Sequence, residues 1–98
     1  MIVVIAKLSI KPGSVQDVLA LAKPCIAETR DEPGCLFYDI HQSLTDPETL
    51  VFVEHWETRE ALSAHFETPH VSTWREARTP FVTGASIEII HTDNVETL

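Results

Sequence analysis

Basic residues are scarce in this chain: 7 Lys and Arg stand against 15 Asp and Glu, a net charge of −8. Holding a phosphate backbone takes clustered cations, and no basic cluster exists, so nucleic-acid binding is excluded. Attachment to an anionic membrane surface is disfavoured on the same ground. No apolar run reaches the roughly 18 residues that mark a membrane-spanning helix. Cysteine is limited to Cys25 and Cys35, too few for a disulfide framework. Met1 to Ile5 carries neither a basic region nor a small-residue cleavage site. No export signal is expected there, which places the protein in the cytoplasm with both thiols reduced. Generic catalytic motifs are also missing: no Gly-rich phosphate loop, no nucleophile elbow, no CxxC and no HExxH.

What remains is a globular composition. The 98 residues are 44% hydrophobic, enough for one domain over 1–98 and too apolar for a disordered chain. A domain of this size buries only about 60–65% of its unfolded surface, so a partner subunit would add materially to its core.

The pattern alternates strands and helices. Ile2 to Ile10 is β-rich and ends at Lys11-Pro12-Gly13. Ser14 is placed to cap a helix whose apolar positions are Val15, Val18, Leu19, Ala22 and Ile26. Pro24 falls inside that helix and predicts a kink, or a split near Lys23. Asp31-Glu32-Pro33-Gly34 stops it. Cys35 to Ser43 and Thr49 to Glu57 form an antiparallel hairpin about the Thr45-Asp46-Pro47-Glu48 turn. Thr58 caps a helix running to Phe66. Thr68 caps another, with Pro69 at its first position, running to about Arg78. Gly84 precedes a last strand from Ala85 to Thr92.

This order predicts an α+β, ferredoxin-like split βαβ fold: a four-stranded antiparallel sheet with helices on one face. Both sheet faces are apolar. Leu50 and Phe52 oppose Val51 and Val53, Ile2 and Val4 oppose Val3 and Ile5, and Ile87 and Ile89 oppose Ile90. Helices cover one face, and a second copy packing sheet to sheet is the simplest cover for the other. A homodimer is therefore expected.

Candidate chemistry gathers in histidines and aromatics. His65 ends one short helix and His70 begins the next, so a break between helices aims both. A neutral imidazole at His70, near a helix N-terminus, suits proton transfer or a hydrogen bond to a ligand oxygen. Glu54 and Trp56 share a strand face with Phe52; Glu54 is there either solvated or buried and paired. Phe37 and Tyr38 lie on opposite faces of their strand, so at most one points under the helices. Trp74 lies four residues after His70 on the same side of its helix. His41, His55 and His91 complete five histidines, none with the i, i+4 spacing common at zinc sites, and no metal is expected. A metal or redox centre from Cys25 and Cys35 is not expected either.

The pieces Lys11-Pro12-Gly13, Glu32-Pro33-Gly34-Cys35-Leu36 with Tyr38, Phe52-Val53-Glu54-His55-Trp56, Glu60-Ala61-Leu62, His65 and Thr68-Pro69-His70 occur in an order that is similar to a known family. From Ile2 to His91 the chain resembles the antibiotic biosynthesis monooxygenase superfamily, and within it small quinol-monooxygenase-like bacterial proteins. The resemblance implies a dimeric ferredoxin-like fold with a pocket between sheet and helices in each subunit. It implies oxygenation of an electron-rich aromatic by dioxygen with no cofactor. His65 would be the base or orienting group. Trp56 and Phe37 would be apolar wall, with Tyr38, Glu54, His70 and Trp74 as further substrate contacts.

Haem-degrading relatives use an Asn, a Trp and a His at positions that are Ala6, His65 and about Arg75 here, so that activity is not expected. A branch that isomerises a phosphorylated sugar signal shares the Leu-x-x-His and Pro-His pattern and stays open. Its phosphate would need Lys7 or Arg75. A non-catalytic dimeric binding or stress-response module is the third reading. An apolar pocket with one histidine favours oxygenation, a pocket with two cations favours the phosphosugar, and a pocket filled by Trp56, Trp74 and Phe66 favours a structural role.

Overall fold

The computed structural model describes residues 1–98. The elements in chain order are β1 (Ile2–Ile10), α1 (Val15–Thr29), β2 (Cys35–Gln42), β3 (Thr49–Trp56), α2 (Arg59–Phe66), α3 (Pro69–Arg78), a short 3-10 turn (Thr79–Phe81) and β4 (Val82–His91). The strands form one sheet in the order β2-β3-β1-β4, every neighbour antiparallel. This is the ferredoxin-like arrangement the sequence predicts.

Register fixes which residues share a face. Tyr38 pairs with Glu54, Ala6 with both Phe52 and Ile87, and Leu8 with both Leu50 and Ala85. All of these stand on the face beneath the helices. Val4, Leu8, Leu50, Phe52 and Trp56 are buried there against Val18, Ala22 and Leu62. The alternate residues Val3, Ile5, Val51 and Val53 are only half-buried, and Phe37 and Ile90 are each 43% exposed. The second face therefore carries an apolar patch, bordered by Lys7, Asp39, His41, His55 and Glu88, that is uncovered within one chain.

Four local expectations change. Pro24 does not split α1, which runs unbroken through Thr29. Pro24 and Ala20, whose carbonyl it leaves unbonded, are both exposed, so that oxygen is not buried without a partner. Ser14 makes no side-chain cap bond; its backbone is already near-helical (φ −106°, ψ −1°), unlike the extended geometry that aims a capping hydroxyl. Thr58 does cap α2, accepting from the Ala61 amide, but Thr68 does not cap α3. Its hydroxyl instead donates to the His65 carbonyl at 2.7 Å, tying the end of α2 to the start of α3. Finally, β4 begins at Val82 rather than Ala85. A register shift at Ser9/Ile10 lets Val82 pair with Ile10, and Gly84 lies within the strand opposite Ser9.

One glycine sets a close approach. Gly34 has φ +82°, and a Cβ there would lie 2.7 Å from the Cβ of Ala61. The loop between α1 and β2 thus presses against α2, and this loop carries Glu32.

Candidate functional site

A cavity of about 230 Å3 lies between the covered face of the sheet and helices α2 and α3. Nine of its fourteen lining residues are hydrophobic. An apolar cavity of about 150 Å3 holds benzene, so this one has room for a substituted aromatic ring. Phe52 and Trp74 form one wall, their rings edge to face at 5.8 Å. Its polar lining comprises His65, Glu54 and Tyr38, with Arg75 and Arg78 from α3 and Ser86 from β4.

His65 is the best-defined of these. It is 3% exposed at the end of α2, and its Nδ1 lies 2.8 Å from Glu32 Oε2. Burial lowers its pKa below the usual imidazole value, against the opposing pull of the Glu32 hydrogen bond and charge. The imidazole is therefore neutral at pH 7. With a carboxylate at Nδ1, the proton sits on Nδ1 and the lone pair on Nε2. No buried polar side-chain atom lacks a partner, and Nε2 bonds to no protein group. Nε2 is thus open to the cavity that His65 lines.

Glu54 is 5% exposed and paired, the buried alternative of the sequence reading. The Trp56 indole N–H donates to its Oε1 at 3.0 Å. Burial pushes its pKa up to about 7, the Trp56 bond opposing. The Tyr38 ring lies 5.3 Å from both Phe52 and His65. Burial, with the Glu54 charge behind it, raises the phenol well above its ordinary value, so Tyr38 stays a neutral donor.

Three expected contacts lie elsewhere. Phe37 stands on the uncovered face beside His55, ring centroids 5.6 Å apart. The strand alternation that turns Tyr38 inward turns Phe37 out. Trp56 is fully buried 4.8 Å from the His65 ring and supports Glu54 without lining the cavity. His70 does not reach the cavity either; it lines a groove between α1 and α3. Its Nε2 meets the same Glu32 Oε2 at 2.8 Å, and its Nδ1 lies 3.3 Å from Glu28 Oε2. Trp74 does line the cavity, as expected.

Glu32 is the residue that the sequence reading missed as a site residue. It was legible as part of a helix-stopping turn and of a family-like piece, without a role at the site. It bridges two histidines from different helices because the break at Glu67-Thr68 brings their rings to 6.3 Å. Arg78 was also missed as a cavity residue, since its place at a helix end gives no sign of what lies beneath.

The ligating atoms of Glu32, His65 and His70 lie within 4.8 Å of one another, the one set that could hold a metal. A metal there would displace the protons that now bridge the histidines to Glu32. His41, His55 and His91 join no such set. Cys25 and Cys35 are free thiols, and burial raises both, Cys35 to about 11, so neither is a nucleophile near neutral pH.

A sequence model for the antibiotic biosynthesis monooxygenase family matches residues 1–77. The chain belongs to this family. It is 32% identical over 91 residues to the probable quinol monooxygenase YgiN of Escherichia coli, covering 79% of this chain and 84% of that protein. It is 36% identical over 69 residues to the protein sll1783 of Synechocystis, covering 70% of this chain but only 47% of that longer protein. The structure of Rv0793 from Mycobacterium tuberculosis superposes with a TM-score of 0.89 at 28% identity, covering 98% of each chain. Family and fold agree with the resemblance read from the sequence. No helix is long and apolar enough to cross a membrane.

Proposed function

We propose that the cavity binds a small electron-rich aromatic, a quinol or naphthol, and that His65 deprotonates its hydroxyl for reaction with dioxygen without a cofactor. The observation that carries this is His65 itself: Glu32 holds Nδ1, and Nε2 faces an apolar cavity. A phenolate gives an electron to dioxygen far more readily than a phenol does, so removing the proton is the step a protein can supply. The radical pair joins at a ring carbon as a hydroperoxide. Loss of water leaves the ketone, so a naphthol and one dioxygen give a naphthoquinone and one water. Apolar side chains surround the ring in the cavity, and Tyr38 supplies a neutral donor. The name of the Escherichia coli relative supports a quinol as substrate.

Arg75 and Arg78 at the cavity favour the second reading, isomerisation of a phosphorylated sugar. The mostly apolar lining weighs against a hydrophilic sugar. A purely structural role is disfavoured, because Trp74 and Phe66 wall the cavity without filling it and Trp56 lies outside it. A homodimer through the uncovered sheet face and a cytoplasmic location belong to the same proposal.

The test is oxygen uptake by metal-stripped protein with a panel of quinols and naphthols, beside His65→Ala. Turnover is expected to fall by roughly 10²-fold or more in the variant. Equal rates in the two proteins remove His65 from the mechanism, and no uptake with any aromatic moves the weight to a phosphosugar screen.

A further inference from the structure

Arg75 and Arg78 are unusual among the cations of this acidic chain. They lie three residues apart on α3, hence on one face of the helix, and both line the cavity. Neither guanidinium is within ion-pair reach of a carboxylate. The ion pairs are Arg30 with Asp39, and His65 and His70 with Glu32 and Glu28. Neither guanidinium donates a hydrogen bond to the protein, whereas Arg30 and Arg59 both do.

Instead each lies against an aromatic ring of the cavity wall. Arg75 Cζ is 5.3 Å from the Phe66 centroid, and Arg78 Cζ is 5.4 Å from that of Trp74. Stacking engages the guanidinium face and leaves its edge donors free. Favourable placement at the C-terminal end of a helix accounts for cations in this turn. It does not account for two of them turned over cavity rings with their donors unspent. Arg78 is half-buried and Arg75 exposed at the cavity mouth; burial lowers the pKa of Arg78 and the Arg75 charge lowers it further, so like charges crowd at Arg78. A bound anion would relieve that crowding.

We infer that Arg75 and Arg78 form an anion subsite at the cavity, which takes the carboxylate of an aromatic acid whose ring lies against the wall that Phe52 and Trp74 form. This rests on the cavity being an aromatic site, and it narrows the substrate class to hydroxylated aromatic acids. A carboxylate is planar and meets the guanidinium fork with two parallel bonds, which a neutral hydroxyl cannot do. The ring end of such a ligand would sit toward His65, and its acid end toward α3.

The test is calorimetric binding of 2-naphthoate and its neutral isostere 2-naphthamide to the wild type, Arg75→Gln, Arg78→Gln and the double variant. The wild type is expected to prefer naphthoate by about tenfold or more. Each single variant should reduce that preference and the double variant abolish it, with naphthamide affinity falling far less than that of naphthoate. Arg75→Lys and Arg78→Lys keep the charge but lose the fork, and should restore only part. Equal affinity for the two ligands, no binding of either, or unchanged naphthoate affinity in a folded double variant overturns the subsite. Inorganic phosphate should compete only weakly; phosphate binding tighter than naphthoate overturns the aromatic acid in favour of a phosphoryl ligand. Binding needs no turnover, so the two readings fail separately. Arginine-dependent naphthoate binding with no oxygen uptake on 1-hydroxy-2-naphthoate sinks only the oxygenation. Uptake on naphthol with no naphthoate preference sinks only the subsite.

Discussion

The two faces of the sheet are built from the same strands and nearly the same apolar residue types, yet they meet different fates. Phe52 and Val53 are adjacent in β3. Phe52 is 3% exposed under the helices, while Val53 sits on the open face between Ile5 and Asp39. The covered face carries all the buried chemistry: Tyr38, Glu54 and His65. The open face carries apolar area and, at its Lys7–Ser9 end, a shallow polar hollow with Thr49 and Ser86, but no buried titratable group. Apolarity alone therefore does not mark the functional face. What marks it is polar side chains that burial forces into pairing, next to space that the core leaves unfilled.

Substitutions at adjacent residues separate the two faces most strongly. Val53→Asp would place an unpaired charge in the proposed sheet-to-sheet interface and is expected to abolish a dimer formed there. Phe52→Ala should instead destabilise the subunit by about 3–5 kcal/mol and leave the assembly specificity alone. Light scattering reads the first and denaturant unfolding the second. A wild type that is monomeric at high concentration, with Val53→Asp indistinguishable from it, removes the dimer. A Phe52→Ala cost below about 1 kcal/mol would show that the cavity already spares this side chain its packing.

A second contrast is in pH dependence. Glu54 has its pKa at about 7 when folded and near 4.5 in the reference state. The folded chain keeps a proton that the unfolded chain loses between these values. Its contribution is complete below pH 4.5 and is lost as the pH rises through about 7, by up to about 3 kcal/mol. His65 runs the other way. Its folded pKa is below 6.5, so its contribution is present above pH 6.5 and is lost as the pH falls. Glu54→Gln should remove only the loss on the alkaline side. Unfolding free energies at pH 5 and pH 8 for both proteins check it, and parallel pH profiles would mean that Glu54 titrates as a solvated carboxylate.

The fold was legible because alternation and punctuation agree along the chain: β-rich runs, Pro69 at a helix start, Thr58 as a cap. The site was legible in part. His65, Glu54, Tyr38 and Trp74 could be named because each sits on an element whose period assigns it a face. Phe37 was misplaced although alternation offered the right answer, since the resemblance put it in the wall. His70 and Trp56 lie beside Glu32 and His65 but do not line the cavity. Glu32 and Arg78 escaped because nothing local fixes them. One lies in a loop placed by the contact of Gly34 with Ala61, and the other depends on how α3 packs over the sheet.

Glu32 offers the smallest effect and the sharpest distinction. It belongs to neither face, yet it sets the proton position of the covered face's histidine. Glu32→Gln keeps the volume, and its carbonyl oxygen can stand where Oε2 accepts from both histidines, but it lacks the charge that favours the proton on Nδ1 of His65, and its NH2 can donate there instead. Part of the His65 population should then carry its proton on Nε2, turning the base away from use. A loss in turnover of about tenfold is expected, the lower range for a residue that orients another. Nitrogen-15 spectra of the imidazoles read the same change without substrate. Wild-type His65 should show protonated Nδ1 and bare Nε2, and the variant a mixture. An unchanged tautomer in Glu32→Gln would mean that packing against Trp56 and Tyr38, not the carboxylate, holds the ring, and the base would then owe its state to the covered face alone.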